Sequence, residues 1–174
     1  MKDLPGGAYG PKAISAGYAY TCARLLTNPG FVRCWGYDAD GQLGDGTTTT
    51  RLVPVVVQRL GYSREVSAGG DHTCVITPGT VGTKEPAAVK CWGDNSYGQL
   101  GDGTRTSSSV PVEVKGLLNG RAFISAAQIS AGYSHTCALQ DPGVVKCWGS
   151  NSYGQLGDGT RTHSSVPVDV KGLS

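Results

Sequence analysis

The chain has 174 residues, a formal net charge of +2, 27 glycines, eight tyrosines, three tryptophans and only two phenylalanines. Sparse, scattered charge with no basic block argues against a surface that tracks a phosphate backbone, and no apolar run is long enough for a membrane-spanning helix. So few large aromatics exclude one large core and favour several small ones, each bounded by its own turns.

In chain order, residues 1–13 read as a Gly/Pro-containing lead without a signal-peptide pattern. A weak strand is expected over 13–16, and Ser15-Ala16-Gly17 then leads through Tyr20-Thr21-Cys22 to Cys34-Trp35-Gly36. Gly41-Gln42-Leu43-Gly44-Asp45-Gly46-Thr47 follows, and a Val/Pro strand over 53–57 closes the unit. The order then restarts with a strand over 64–67, Ser67-Ala68-Gly69, His72-Thr73-Cys74 and Cys91-Trp92-Gly93. Gly98-Gln99-Leu100-Gly101-Asp102-Gly103-Thr104 and a strand over 110–114 complete it. The third pass has strands expected over 128–130, 136–139 and 144–148, with Ser130-Ala131-Gly132, His135-Thr136-Cys137 and Cys147-Trp148-Gly149. It ends in Gly154-Gln155-Leu156-Gly157-Asp158-Gly159-Thr160 and a strand over 166–170.

The Trp-to-Trp spacings are 57 and 56 residues, so a seven-residue identity recurs at a near-constant period. That signals a repeat architecture, with units over 14–60, 61–117 and 118–174. Alternation such as Val112-Glu113-Val114 and the Val/Trp content of 144–148 point to strands, and the Gly/Asp/Asn clusters between them to turns. No ten-residue helical pattern appears, apart from a turn expected around 118–127. Three or four strands per unit predict an all-β chain of propeller blades, three per chain, rather than a helical solenoid. Length varies where loops belong. The paired cysteines enclose 11, 16 and 9 residues, and insertions fall over 78–88 and 118–127.

The cysteines fall as one pair per unit: Cys22 with Cys34, Cys74 with Cys91, Cys137 with Cys147. One rule should serve all three units, so within-unit disulfides are expected, with three pairs of small buried thiols as the alternative. Disulfides would imply an oxidising compartment, and hence an extracellular or cell-surface protein; free thiols would fit the cytoplasm. Trp35, Trp92 and Trp148 follow the second cysteines, point to the opposite sheet face and are expected to pack blade against blade. Leu43, Leu100 and Leu156 are expected core anchors, and Asp45, Asp102 and Asp158 acceptors within turns. The glycine-rich stretch lacks the Lys and helix of a phosphate loop. Asp38, Asp40 and Asp45 raise a calcium question, but the matching positions drift to Asn and Ser, so no metal and no cofactor is expected. His72 and His135 read as structural hydrogen-bonding groups, Tyr20 stands at their position in the first unit, and His163 reads as solvated.

The Ser-Ala-Gly, His-Thr-Cys, Cys-Trp-Gly and Gly-Gln-Leu-Gly-Asp-Gly-Thr segments together resemble the repeat of the regulator-of-chromosome-condensation superfamily, most like its bacterial cysteine-paired variant. The resemblance covers all but the first dozen or so residues. It implies four-stranded blades and, across the family, roles as different as nucleotide exchange on a small GTPase, chromatin binding and light sensing, so it specifies fold better than function. Three blades do not close a ring of ordinary curvature. Either two copies pair into a six-bladed homodimer or the remaining blades belong to a longer parent.

The function expected on these grounds is a noncatalytic scaffold for protein binding or self-assembly. Tyr97, Tyr153, Arg105 and Arg161 are the candidate binding surface; Tyr37 is out of register with the first two and weaker. The alternatives are a guanine-nucleotide exchange-like regulator of a small GTPase and, further off, a polysaccharide-active enzyme. No converging carboxylate pair supports the last.

Overall fold

The computed structural model describes residues 10–26, 31–78, 88–117, 126–140 and 142–173. Among the described residues, twelve strands form three four-stranded antiparallel sheets. The first sheet holds β1 (Pro11–Ala16), β2 (Tyr20–Leu25), β3 (Val32–Gly36) and β4 (Arg51–Val56) in sequence order. The second holds β5 (Glu65–Ala68), β6 (His72–Thr77), β7 (Ala88–Gly93) and β8 (Ser108–Glu113). The third holds β9 (Ala126–Ala131), β10 (His135–Gln140), β11 (Val144–Gly149) and β12 (Ser164–Asp169). These are the blades expected from the repeat, although β1 begins at Pro11, inside the expected lead. The expected insertions over 78–88 and 118–127 lie largely outside the described residues, as does most of the lead.

Each sheet is a meander with the same defect. The register slips between Cys34 and Gly36, between Cys91 and Gly93, and between Cys147 and Gly149. The glycine there has φ of +113°, +105° and +103° in turn, a conformation closed to other residues at low cost. The slip re-aims the chain out of the third strand into the long loop that carries the glycine-rich motif.

The cysteines of each unit sit directly opposite one another on the second and third strands. Their Cα atoms are 4.1 Å apart, and Cys22–Cys34, Cys74–Cys91 and Cys137–Cys147 are all disulfide-bonded. Cross-strand pairing at such short range is what lets a bridge form without moving the backbone.

The cores lie between sheets. Cys22, Val32, Cys34 and Leu43 of the first blade meet Val66, Val75 and Trp92 of the second. Cys74, Ile76, Cys91 and Leu100 of the second meet Ile129, Ala138 and Trp148 of the third. Alternation along a strand explains this, because Cys91 faces forward to the third blade while its neighbour Trp92 faces back to the first. Leu43, Leu100 and Leu156 are fully buried, each contributing about 1.5–3 kcal/mol of apolar burial.

Candidate functional site

The turns after β1, β5 and β9 and the long loops after β3, β7 and β11 all emerge at one end of the blades. Backbone bonds tie them together there: Tyr37 N donates to Ala19 O at 2.9 Å, Asp94 N to Asp71 O at 2.8 Å and Ser150 N to Ser134 O at 2.8 Å. Each long loop is held by one pattern of turn bonds. Asp45, Asp102 and Asp158 accept from the backbone N–H and the hydroxyl of the Thr two residues on. Gln42, Gln99 and Gln155 each accept the backbone N–H of Asp40, Tyr97 and Tyr153. A loop with this many internal bonds presents its outward side chains from a fixed frame.

Three carboxylates gather on this rim. Asp40 and Asp71 are half-buried, and burial together with the Asp94 charge raises both above the ordinary carboxylate range. Gln42 Nε2 donates to Asp71 Oδ1 at 3.1 Å across the first junction, and Gln99 Nε2 donates to Asp94 Oδ2 at 2.6 Å. Beside them the exposed rings of Tyr18 and Tyr133 meet edge to face with centroids 6.0 Å apart. They reach one another over the second blade, where Tyr18 N donates to Gly70 O and Gly70 N donates to Tyr133 O. A Cβ at Gly70 would stand 2.6 Å from Tyr133 O, so the absence of a side chain there permits the approach.

Asp38 is buried behind the same loop, where Oδ1 accepts from Leu43 N at 2.9 Å. Burial pushes its carboxyl up to about 6, with Asp45 adding to the effect. Asp45 sits below the usual carboxylate range: burial pushes it up, but its bonds to Thr47 and the Arg51 guanidinium at 2.7 Å outweigh that. His72 is fully buried, and loss of water holds it down at about 4. Thr136 Oγ1 donates to Gln99 O, so it accepts from His72 Nε2 at 2.8 Å, which fixes the tautomer and leaves Nδ1 without a partner.

The expected surface residues lie on this end too. Arg105 and Arg161 are exposed in the outer parts of their loops. Tyr153 is 93% exposed, and Tyr97 is partly covered by an edge contact with His163. His163 was expected in solvent; instead it is half-buried and its Nδ1 accepts from Asn151 N at 2.8 Å. The three tryptophans are not equivalent. Trp92 and Trp148 are fully buried and donate to Gln42 O and Gln99 O of the preceding blade, both at 2.8 Å, whereas Trp35 is half-buried. The Asp38 and Asp45 carboxylates bond to separate partners, and no group of three metal-ligating side chains occurs among the described residues. Sequence reasoning missed the Tyr18/Tyr133 pair and the Asp71/Asp94 patch. The signal was present for the tyrosines, since both follow the Ser-Ala-Gly segment directly and Gly70 takes that place in the second unit.

The Regulator of chromosome condensation (RCC1) repeat matches residues 30–76, 89–139 and 143–174. The chain is 35% identical to the Ultraviolet-B receptor UVR8 of Arabidopsis thaliana over 163 residues, which is 92% of this chain and 34% of that protein. It is 33% identical to the human E3 ubiquitin-protein ligase HERC2 over 161 residues, 92% of this chain and 3% of that one. The chain therefore spans about a third or less of these relatives. Among solved structures, yeast RCC1 (Prp20) bound to Kap60 superposes with a TM-score of 0.76 at 18% identity, covering 98% of this chain and 39% of that one. Human WBSCR16 follows with a TM-score of 0.62 at 23% identity, covering 99% of this chain and 55% of that one. These relatives are plant, yeast and mammalian, and give no support to the expected bacterial variant.

They also correct the expected extracellular or cell-surface location. Ubiquitin-protein ligases, and a yeast protein characterised by its binding to histones, work inside cells, and the inference from paired cysteines to a secreted protein does not hold. Strand register sets the proximity of the two sulfurs in each sheet, and the redox poise of the compartment decides whether the bond forms. No helix among the described residues is long and apolar enough to cross a membrane. With its repeat matched over most of its length and its sheets superposing on those of Prp20, the chain belongs to the Regulator of chromosome condensation (RCC1) repeat family.

Proposed function

We propose that this chain is a noncatalytic propeller-type scaffold that binds a protein ligand through the rim carrying Asp40, Asp71, Asp94, Tyr18 and Tyr133. The observation that carries the reading is the contrast on that rim between a locked backbone and open side chains. Tyrosine adds apolar area with a polar tip at low entropic cost, and three neighbouring carboxylates favour a lysine- or arginine-rich segment. Tyr97, Tyr153, Arg105 and Arg161 form an outer belt of the same surface and contact flanking parts of the ligand. Each repeat, over 14–60, 61–117 and 118–174, supplies one sector of the rim, and the ring is completed either by a second copy or by the remaining blades of a longer parent.

The test is calorimetric titration of the protein with a Lys/Arg-rich peptide and with an acidic peptide of equal length. Asp40→Asn/Asp71→Asn/Asp94→Asn should weaken basic-peptide binding by at least about tenfold, with most of the loss in steered association and therefore salt-dependent. Equal binding of both peptides, or an unchanged constant in the triple variant, counts against the rim.

A guanine-nucleotide exchange role on a small GTPase is a narrower form of the same reading, and the comparisons favour it at least as well. Prp20, whose blades superpose on these, is characterised by its binding to Gsp1p and histones. Accelerated release of a fluorescent guanine nucleotide from a small GTPase on addition of the chain supports exchange; unchanged release alongside measurable binding leaves the scaffold alone.

A further inference from the structure

The two junctions between neighbouring blades share one set of contacts and differ at one position. At the first, Trp92 Nε1 donates to Gln42 O at 2.8 Å and Ala68 N to Ser15 Oγ at 2.9 Å. At the second, Trp148 Nε1 donates to Gln99 O at 2.8 Å and Ala131 N to Ser67 Oγ at 2.9 Å. In each, a ring at the start of the second strand lies against the glycine three residues before it and reaches a threonine of the following blade. That ring is Tyr20 at the first junction, with Oη 2.9 Å from Thr73 Oγ1. At the second it is His72, with Nε2 2.8 Å from Thr136 Oγ1. Both junctions lie wholly within the chain, so these contacts do not depend on what precedes or follows it.

The two rings answer acid differently. Tyr20 is buried, and burial raises its phenol above the ordinary tyrosine range. Its Oη donates to His72 O at 2.5 Å, and the neutral phenol loses nothing as pH falls. His72 is fully buried too, but its ring can take a second proton. Thr136 Oγ1 donates to Gln99 O at 3.0 Å, so Nε2 already carries the hydrogen of the neutral ring. A proton taken up in acid goes to Nδ1, which faces Gly69, is buried and has no partner. That places a charge and an unanswered donor inside the interface, both costly away from water.

The groups facing His72 do not offset that cost. Burial is the largest influence on the ring and holds it neutral down to about 4, against an ordinary 6.5. Asp94, in the loop after β7, favours the charge, but both its oxygens are engaged by Ser96 and Gln99. His135, on β10, opposes it. Asp71, the chain neighbour, accepts from Gln42 of the first blade. With the junction parted, water reaches the ring and it takes its proton at the ordinary value. The contribution of His72 therefore holds above 6.5 and is lost as pH falls toward 4.

We infer that the junction between the second and third blades is a proton-operated latch: acid parts it at His72, while the first junction, closed by Tyr20, stays shut. Parting carries Tyr133 away from the rim. Gly70 N donates across this junction to Gly132 O and Tyr133 O at 3.2 and 3.1 Å, and the Tyr18–Tyr133 ring contact spans it. Where the rim binds ligand as proposed, acid releases it; the latch itself does not rest on that reading.

Hydrogen exchange of the indole N–H groups tests the latch without ligand, since Trp92 reports the first junction and Trp148 the second. Division by the exchange rate of free indole at each pH gives a protection factor. Between pH 6 and 4, Trp148 protection should fall about tenfold per pH unit, the slope for one proton taken up on opening, while that of Trp92 stays level. His72→Gln keeps a donor toward Thr136 and cannot charge, and His72→Tyr copies the first junction. In either variant Trp148 protection should be level with pH. Equal falls at both indoles, a level Trp148 in the wild type, or an unchanged slope in a folded variant overturns the inference. Should neither variant fold, the contrast between the two wild-type indoles decides by itself. Absence of basic-peptide binding at pH 7 counts against the rim and leaves the Trp148 slope untouched, so the two readings fail separately.

Discussion

Asp38 stands three residues after Trp35, where the other repeats carry Asn95 and Asn151. Each asparagine uses both ends of its amide. Asn95 Oδ1 accepts from Leu100 N at 2.9 Å, while Nδ2 donates to Asp102, Thr104 and Thr106 across the loop. Asp38 keeps only the accepting half, from Leu43 N, and its Oδ2 is buried without a partner. Asp38→Asn restores the donor, and should stabilise the protein at pH 7 by about 1 kcal/mol. The pH dependence has a definite sign. A carboxyl raised to about 6 on folding contributes stability that is fully present below its ordinary pKa near 3.8 and is lost as pH rises through 6. His72 works the other way: lowered from 6.5 to about 4, it contributes stability above 6.5 that is lost as pH falls toward 4. In the wild type the two partly cancel between pH 4 and 6. In Asp38→Asn only the histidine remains, so the variant's advantage in melting temperature should be largest above pH 7 and shrink toward pH 4. An advantage independent of pH would mean that the Asp38 carboxyl is not what titrates.

Element by element, the strands were legible because β-formers, turn residues and paired cysteines all repeat in step. The frame was not. The RCC1 repeat matches 30–76 and 89–139, and each match runs from the third strand of one sheet to the second strand of the next. A periodic sequence looks the same whichever point is taken as the start; only the hydrogen bonds say that the sheet boundary falls after β4 and β8. The disulfides act within sheets. Replacing Cys74 and Cys91 by serine should cost about 2–4 kcal/mol, read as a lower urea midpoint, because a loop of sequence separation 17 is freed in the unfolded chain. The glycines act between sheets. Gly101 has φ of +71°, and a Cβ there would stand 2.7 Å from the Trp148 indole nitrogen; Gly157 has φ of +66° and no indole against it. Gly101→Ala and Gly157→Ala share a conformational penalty of about 1–2 kcal/mol, and both would press on a valine. Gly101→Ala adds displacement of the indole, so it should be clearly the more destabilising in the monomer. Equal midpoints would show that the indole contact is not tight.

At the scale of the whole molecule, the three blades are alike in sequence and unlike in circumstance. The second blade contributes to both interior clusters, with Val66, Val75 and Trp92 turned to the first and Cys74, Ile76, Val89 and Leu100 turned to the third. The outer blades each have one packed face. In a repeat array stability is a sum of unit and neighbour terms, so the unit with two neighbours opens last. Amide exchange in the chain should be slowest in β6 and β7 and faster in the equivalent strands β2, β3, β10 and β11. The sequence could not show this gradient, because it writes nearly the same residues three times; what differs is what each copy of Trp, Gly and Thr finds opposite it. Uniform exchange across all three blades in the single chain would mean that the sheets unfold together and that the junctions, rather than the blades, set the stability of the array.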